Sequence, residues 1–501
     1  MTYIAIARNS KNEPIKMVGK MANRHGLIAG ATGTGKSVTL RKMAESFSNQ
    51  GVPVFLVDVK GDFSGMAKKG QAQGKVAQEM FSLRDDYYQA FPVTFWDVYA
   101  QVGIPFRVKI SDMGAMLLSR LLGLNETQQG VLNLVFKVAD DNGWLLIDIK
   151  DLRALLRYVA DHANEYKTLY GNISTASVGA IQRQLLVLEQ EGGDLLFGEP
   201  AIELIDLLQT KDTQGVVNIL AGARLMRSPK IFSALLLWLL VELSTEFTEC
   251  GDLDSPKFVL FFDEAHLLFD NASPALLNQV EQVVRLIRSK GVGVYFCSQS
   301  PLDLPQAILG QLGNRVQHAL RAFTSKDQKA VQSVAETFRP NPEIDVLETI
   351  SILGVGEALI SFLDEKGIPN PVEYAYVLPP ASQLTPLATE EQKIIIENNN
   401  YYAKYRETID NDSTFEALLQ ENEKLQVNQK ENTVCGTSTK NQAQAQDIPS
   451  PVTGFFRGLL GIRKHSNVGL GYDVSNQLGK KVKQGLFKSI NGVIMGVMKR
   501  K

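Results

Sequence analysis

Eight consecutive residues near the N-terminus have the spacing of a phosphate-binding loop, G-x-x-x-x-G-K-[ST]. Glycines in such a loop let backbone N–H groups turn toward an oxyanion, and the helix that follows adds its positive end. The lysine reaches the β- and γ-phosphates, and the serine hydroxyl binds Mg²⁺. The segment, called the P-loop below, consists of Gly30, Ala31, Thr32, Gly33, Thr34, Gly35, Lys36 and Ser37. We therefore predict that ATP and Mg²⁺ bind here.

A pair of carboxylates, Asp263 and Glu264, directly follows the apolar run 258–262. Such a run is typical of a strand buried in a sheet, and ligands bind at the carboxyl edge of open α/β sheets. In a nucleotide site, Asp263 would bind Mg²⁺ and Glu264 would polarise the attacking water. Gln299 ends the next apolar run. We expect Gln299 either to sense the γ-phosphate and orient water or to cap a loop.

Phosphoryl transfer also needs a cation to stabilise charge in the transition state, and a neighbouring subunit often supplies it as an arginine. Each arginine near these motifs is also typical of a solvated surface, so the residues alone do not choose among them. The candidates are Arg285, Arg288, Arg315 and Arg321.

Two further groups are open to different interpretations. Asp58, Lys60 and Asp62 follow the end of a predicted strand, where they either contact nucleotide or a neighbour, or form a plain turn. His266 completes the string Asp-Glu-Ala-His, which invites comparison with two-lobed helicases. The sequence shows one nucleotide-binding lobe, which disfavours that comparison.

Short apolar runs alternate with helical spacing around these motifs, which indicates an α/β fold with a parallel sheet. Weak alternation in 2–20 predicts an N-terminal hairpin, and 356–378 predicts a closing one. Residues 111–211 have mostly helical spacing and are predicted to form an inserted subdomain. The predicted strands are 26–29, 52–59, 93–96, 216–220, 257–263, 292–298 and 315–323, and the main predicted core helices are 37–47, 229–247, 274–290, 301–312 and 326–338.

The domain prediction has five parts. Residues 1–110 hold the N-terminal hairpin and the first part of an ATPase core, 111–211 the helical insertion, and 212–380 the rest of the core. Residues 381–453 are predicted to form helix fragments and a polar, flexible linker, and 454–501 a flexible, basic, glycine-rich tail.

Charge is unevenly distributed along the chain. The formal net charge is −2, but residues 454–501 carry ten Lys and Arg against one acid, so the rest of the chain is acidic. The body is therefore not a uniformly basic nucleic-acid binder, and contact with a polyanion must be local. Three widely spaced cysteines form no disulfide framework, the N-terminus lacks a signal pattern, and the strongest apolar run, 234–243, is about half the length that spans a bilayer. We expect a cytoplasmic protein.

As a set, five stretches resemble the HerA-like branch of the FtsK–HerA P-loop ATPases, especially the bacterial YjgR-type proteins with a HerA-like C-terminal domain. The resemblance covers about residues 1–380. The stretches are 19–26 leading into the P-loop, 55–62, 262–269, 287–294 and 312–321.

This resemblance implies a RecA-like core assembled into a homo-oligomeric ring, a hexamer, with ATP between subunits and DNA as the translocated substrate. By its position relative to Asp263 and Glu264, Arg288 resembles the arginine supplied in trans, with Arg315 the next candidate. An alternative is an ATPase that acts on a protein partner or at a membrane surface, since basic segments interleaved with apolar residues also bind anionic lipid. A solubilising extension is a third interpretation of the tail.

Overall fold

Twelve strands of the described chain form a single sheet that carries the P-loop near its middle. The computed structural model describes residues 2–71, 81, 83–171, 173–251, 253–269, 274–322, 325–420 and 423. The chain divides into two units, Met1–Lys430 and Glu431–Lys501, and all described residues belong to the first. The predicted basic tail and the end of the predicted linker therefore lie outside the described residues.

The strands, in chain order, are β1 (Tyr3–Asn9), β2 (Pro14–Val18), β3 (Gly26–Ala29), β4 (Val54–Asp58), β5 (Val93–Asp97), β6 (Ile104–Pro105), β7 (Thr210–Lys211), β8 (Gln214–Gly215), β9 (Val217–Ala221), β10 (Phe258–Phe262), β11 (Val292–Ser298), β12 (Asn314–Gln317), β13 (Glu357–Ser361) and β14 (Glu373–Val377). β7 and β8 form a separate two-stranded ribbon.

The helices are α1 (Lys36–Ser48), α2 (Ile110–Leu121), α3 (Glu126–Asn142), α4 (Ile149–Asp161), α5 (Ala163–Tyr170), α6 (Thr175–Gln190), α7 (Gly193–Leu196), α8 (Leu204–Leu207), α9 (Pro229–Glu246), α10 (His266–Phe269), α11 (Pro274–Ile287), α12 (Gln306–Leu309), α13 (Ser325–Ala335), α14 (Val346–Ile352), α15 (Thr389–Glu397) and α16 (Asn400–Tyr405). No helix in these described ranges is both long enough and apolar enough to cross a bilayer.

The sheet is mostly parallel. Its strand order is β2-β1-β14-β13-β12-β3-β11-β10-β4-β9-β5-β6, and the pairs from β12 to β6 are all parallel. Every residue of β3, β4, β10 and β11 is buried, which is why these strands read as continuous apolar runs. The predicted α/β class, with a P-loop core and a mostly parallel sheet, is confirmed.

Two antiparallel hairpins extend the sheet beyond β12. β1 pairs with β2 and β13 pairs with β14, at the two places where the sequence predicts hairpins. β1 also pairs with β14, so that Ala7 faces Val377 across the strands. This pairing joins the two ends of the core into one sheet.

A run of helices, α2 to α8, lies between β6 and β9 in the chain, where the sequence predicts a helical insertion. In α4, the buried residues Leu152, Leu155, Leu156 and Val159 follow the spacing of one helix face. α9 is buried over most of its surface and packs on α2 and α11. Its apolar residues on all sides thus reflect burial inside the protein.

One predicted helix, 301–312, is interrupted. A short 3₁₀ turn, Pro301–Asp303, precedes α12, and Leu304 between them is extended with ψ of 144°. Pro305 explains the break, because the residue before a proline is disfavoured in the α conformation.

Residues 381–420, which the sequence places in the polar linker, pack against the core. Tyr405 is fully buried, and its backbone carbonyl accepts a hydrogen bond from Arg107. The hydroxyl of Thr414 donates to the carbonyl of Leu145 in the insertion. Buried polar contacts hold this segment on the core, and its polar composition gives no sign of them. The domain boundaries stay a prediction.

Candidate nucleotide site

The motifs predicted from the sequence meet at one edge of the sheet. β11 lies between β3 and β10, and all three strands are parallel. The P-loop follows β3, Gln299 follows β11, and the pair Asp263–Glu264 follows β10. Neighbouring strands are about 4.8 Å apart, so β3 and β10 end about 10 Å apart, a distance that a bound triphosphate and its metal can bridge.

The P-loop turns through three glycines with positive φ. Gly30, Gly33 and Gly35 have φ of 152°, 78° and 117°, and Gly35 is the residue from which α1 begins. The first amides of a helix have no partner within the helix, so the first turn of α1 presents N–H groups to the loop. This geometry fits the binding of a phosphate group.

Lys36 lies inside the turn that these glycines make. Its side chain is buried, and Nζ donates to the carbonyl of Gly30 at 2.6 Å and to that of Ala31 at 3.1 Å. The ammonium therefore points back over the loop, toward the space that the first turn of α1 faces. Ser37, the predicted metal ligand, is the next residue of the same turn and is half-buried.

His318 packs under the P-loop and contacts α1, the helix that follows it, and the sequence analysis assigned this residue no role. It is fully buried; its Nδ1 lies 2.8 Å from the carbonyl of Glu357 and its Nε2 lies 2.8 Å from the hydroxyl of Thr39 in α1. Nδ1 must donate to the carbonyl, so Nε2 accepts from the hydroxyl. Burial lowers the pKa of His318 to about 4, so the imidazole is neutral near pH 7. The only hint of this role in the sequence is that His318 directly follows the strand β12.

Asp263 has one carboxylate oxygen that accepts no hydrogen bond in the described chain, although the buried thiol of Cys297 lies near this carboxylate and helps to lower its pKa. Oδ1 accepts a hydrogen bond from the amide of Glu264 at 3.0 Å, whereas the buried Oδ2 has no hydrogen-bond partner among the described residues. Burial raises the pKa of Asp263, and the neighbouring Lys60 opposes that rise. An unpaired buried carboxylate oxygen is costly unless a ligand satisfies it, and carboxylates bind Mg²⁺ together with phosphates. Asp263 therefore fits the role of a metal ligand.

Glu264 is held in an uncommon backbone conformation, with φ of 47°. Its side chain is buried, with Oε1 2.8 Å from Nζ of Lys60 and Oε2 3.4 Å from Nε2 of Gln299. Burial alone raises the pKa of Glu264, but Lys60, Gln299 and Lys36 outweigh it and the net pKa is lowered. The carboxylate is ionised at neutral pH. His266 Nδ1 also lies 3.5 Å from Oε2.

The loop after β4 brings Lys60 to this carboxylate. Asp58 accepts hydrogen bonds from the amides of Gly61 at 2.7 Å and Phe63 at 2.9 Å, so its carboxylate organises the turn. Burial raises the pKa of Asp58 to about 6, although these amides lower it. Asp62 accepts at its carbonyl from Arg41 of α1. Of the three residues that were open to two interpretations, Asp58 and Asp62 form a turn and Lys60 enters the site.

The candidate arginines are not brought to the P-loop of their own chain. Arg288 precedes β11, and its carbonyl accepts from Nδ2 of Asn23, just before β3. Since β11 has seven residues, Arg288 is about 20 Å from Gln299 along the sheet. The other guanidinium groups contact nearby carbonyls or a carboxylate: Arg315 donates to Leu312 and Thr337, Arg321 to Ser351, and Arg285 to Glu281.

Two solved structures share the fold of this chain. The bacterial conjugative coupling protein TrwB in complex with ADP and Mg²⁺ is 16% identical over 78% of this chain and 96% of that chain, with a TM-score of 0.51. A trigonal form of TrwB in complex with sulphate is 15% identical over 77% of this chain and 96% of that chain, also with a TM-score of 0.51. At this identity the likeness concerns the fold alone.

No curated protein sequence matches the chain. The model of the helicase HerA-like C-terminal family, in contrast, matches residues 4–501, which is nearly the whole chain. With the P-loop, the mostly parallel sheet and the carboxylate pair at its edge, that match establishes that the chain belongs to the helicase HerA-like C-terminal family of P-loop ATPases.

Proposed function

We propose that the chain hydrolyses ATP in an Mg²⁺-dependent reaction at the carboxyl edge of β3, β11 and β10. The observation that carries this proposal is the unpaired, buried Oδ2 of Asp263, two strands from Lys36 and next to the ionised Glu264. A purely structural carboxylate would be expected to satisfy both oxygens.

The roles follow from the chemistry of each group. Lys36 would exchange its contacts with the carbonyls of Gly30 and Ala31 for the β- and γ-phosphates, while the P-loop amides bind the same anion. Ser37 and Asp263 would hold Mg²⁺, which when bound neutralises charge on the phosphates.

Glu264 would orient the attacking water and accept a proton from it at a carboxylate oxygen. Its low pKa keeps this oxygen unprotonated and able to accept at neutral pH. Gln299 is exposed at the tip of β11 and contacts the same carboxylate, so it would help to orient the water or sense the γ-phosphate.

We further propose that copies of the chain form a ring, as a hexamer, which moves or remodels DNA in the cytoplasm. Family membership supports the ring, and the distance of Arg288 from its own P-loop supports a role for this arginine in a neighbouring site. Arg315 is the second candidate for that role, although its guanidinium contacts two carbonyls of its own chain.

A second candidate function uses the same ATPase on a protein partner or at a membrane surface. The basic residues between 454 and 501, ten Lys and Arg against one acid, favour a polyanionic partner and do not distinguish nucleic acid from anionic lipid. The choice between the two functions therefore depends on which polyanion stimulates turnover.

The test is steady-state ATP hydrolysis by the full chain with double-stranded DNA, RNA, anionic liposomes or no addition. We expect Mg²⁺-dependent turnover that DNA stimulates and that salt suppresses. Glu264→Gln should lower turnover by about 10²- to 10⁴-fold while nucleotide still binds. Glu391→Gln, an exposed glutamate paired with Lys68, is the matched control and should leave turnover unchanged. Normal turnover by Glu264→Gln would contradict the role of Glu264 as the base. Stimulation by liposomes alone would contradict DNA as the substrate and favour action at a membrane surface.

A further inference from the structure

The strongest contact of the Glu264 carboxylate is with a lysine that no nucleotide motif includes. Lys60 Nζ lies 2.8 Å from Oε1, whereas Gln299 Nε2 lies 3.4 Å from Oε2. The Glu264 side chain is only 7% exposed, and that of Lys60 is 38% exposed. The carboxylate is therefore enclosed, while the cation that binds it still reaches solvent.

The backbone around Lys60 is fixed from several sides. Besides the Asp58 carboxylate that closes the turn, the carbonyl of Asp58 accepts from the amide of Gly222 at 2.7 Å, which ties the turn to the end of β9. Arg41 ties it to α1, the helix that begins at the P-loop, by donating to the carbonyl of Asp62. These contacts fix the backbone of Lys60, so only its flexible four-carbon side chain can move.

The backbone of Glu264 is fixed as well. A φ of 47° is unusual for a residue with a long side chain, and the amide of Glu264 donates to Asp263. The position of the carboxylate therefore depends on the side-chain partners, of which Lys60 is the closest. An ammonium group occupies one lone pair of a carboxylate oxygen and lowers the basicity of the carboxylate, so Glu264 paired with Lys60 is a weaker proton acceptor for water.

We propose that Lys60 is a positioning residue that restrains Glu264, so that the ion pair must open before the carboxylate can act on the attacking water. This inference rests on the proposed function. Lys60 can open the pair without disturbing the fold, because its side chain reaches solvent and its turn is held by backbone contacts. Nucleotide turnover is then limited by the fraction of molecules in which the pair is open.

The experiment compares turnover of ATP by full-length variants without DNA. Lys60→Gln and Lys60→Met remove the charge and should each raise kcat about fivefold, the rate equivalent of a partly exposed ion pair, with KM unchanged. Lys60→Arg keeps the cation and should stay near the parent rate. Lys68→Gln is the matched control, because Lys68 follows the same strand and pairs with the exposed Glu391 at 2.7 Å.

The combined variant Lys60→Gln with Glu264→Gln shows whether the added turnover passes through the carboxylate; it should be as slow as Glu264→Gln alone. A kcat for Lys60→Gln and Lys60→Met at or below the parent value, or an equal rise in Lys68→Gln, overturns the restraint. If the parent chain hydrolyses no ATP, the proposed function fails. If Glu264→Gln itself hydrolyses ATP normally, the role assigned to Glu264 fails, and the inference about Lys60 fails with it. If Glu264→Gln is slow and the Lys60 variants are not faster, only the inference about Lys60 fails.

Discussion

Ser382 donates its backbone amide, at 3.0 Å, and its hydroxyl to the same carboxylate oxygen of Glu45, although the two residues are 337 positions apart. Glu45 lies on α1 and is fully buried, and its other oxygen accepts from the amide of Ala381 at 2.7 Å. The segment after β14 is therefore fastened to the helix that begins at the P-loop. A buried carboxylate is costly without such donors, so burial of Glu45 depends on the donors from Ala381 and Ser382, and these donors in turn have Glu45 as their acceptor.

We expect Glu45→Gln to lower the free energy of unfolding by about 3 kcal/mol, because an amide nitrogen would face backbone N–H donors in a buried site. Ser382→Ala removes only the hydroxyl donor and should lower it by about 1 kcal/mol. Urea denaturation of both variants measures the difference. Glu391→Gln, at an exposed ion pair, serves as the control and should change stability by less than about 0.5 kcal/mol. Equal stability of Glu45→Gln and the control would contradict the fastening role.

Two glycines of the P-loop should respond differently to alanine. At Gly30, a Cβ would lie 2.5 Å from Cβ of His318, whereas at Gly33 it would meet nothing within 4 Å. Both residues have positive φ, so an alanine at either position is strained. Gly33→Ala carries only this backbone strain, about 1 kcal/mol, whereas Gly30→Ala carries strain and a steric clash with His318.

We therefore expect Gly30→Ala to lose clearly more stability than Gly33→Ala, and to lose nucleotide binding as His318 and the loop move apart. Thermal unfolding and titration with a fluorescent ATP analogue measure both effects. Similar melting temperatures for the two variants would show that His318 gives way without cost.

The sequence predicted those features that depend on residues close together in the chain. The P-loop is a single continuous pattern, and Asp263 and Gln299 each end an apolar run that also predicts a buried strand. The order of neighbours in a parallel sheet then places them at one edge without further information. The fold class was predictable for the same reason, since five of the parallel strands, β3, β4, β5, β10 and β11, are buried along their whole length.

Features that depend on distant residues were not predictable. The contact between Glu45 and Ser382 joins residues on α1 and beyond β14, and nothing in the polar composition around Ser382 shows that its amide is buried. The contact between Lys60 and Glu264 likewise joins two loops 204 positions apart, which can be seen only once β4 and β10 are known to be neighbours. The roles of the site residues remain predictions until turnover is measured.

Arg288 and Arg285 offer a matched test of catalysis between subunits. Arg285 donates to Glu281 one turn earlier on α11, at 2.7 Å, as a surface pair does. If Arg288 serves a neighbouring site, Arg288→Ala should lower kcat by about 10³-fold with nucleotide affinity unchanged, and Arg285→Ala should leave kcat as it is.

Mixing subunits separates an action in trans from an action within one chain. A mixture of Arg288→Ala with Glu264→Gln subunits contains some interfaces with both residues intact, so it should recover part of the activity that neither variant has alone. No recovery in a mixture that is shown to contain mixed oligomers would rule out a trans role for Arg288. The same mixture with Arg315→Ala tests the second candidate.

Acid should weaken the fold through its buried histidines. Val294 donates its amide to Nδ1 of His25 at 3.0 Å, so Nε2 carries the proton and donates to the carbonyl of Val284 at 2.8 Å. Burial lowers the pKa of His25 to about 4, from 6.5. The unfolded chain therefore binds more protons between these values, and the stability that neutral His25 provides is present above about pH 6.5 and is lost as the pH falls toward 4. At pH 5 the loss is about 2 kcal/mol.

Asp58 acts in the opposite direction, since its pKa is raised to about 6 and its protonation favours the folded chain below that value. Asp263, whose pKa burial also raises, acts in the same direction as Asp58. The pKa values of His25 and His318 are both lowered to about 4, and we expect these two histidines to outweigh the carboxyls, so that the free energy of unfolding falls between about pH 7 and about pH 5. Urea denaturation at the two pH values measures the fall. NMR of histidine-labelled protein, with signals assigned from single-histidine variants, tests the cause of this fall. The His25 imidazole should not titrate above about pH 5. A midpoint near 6.5 would mean that Nδ1 takes up a proton in the folded chain, so that the hydrogen bond from Val294 does not keep His25 neutral.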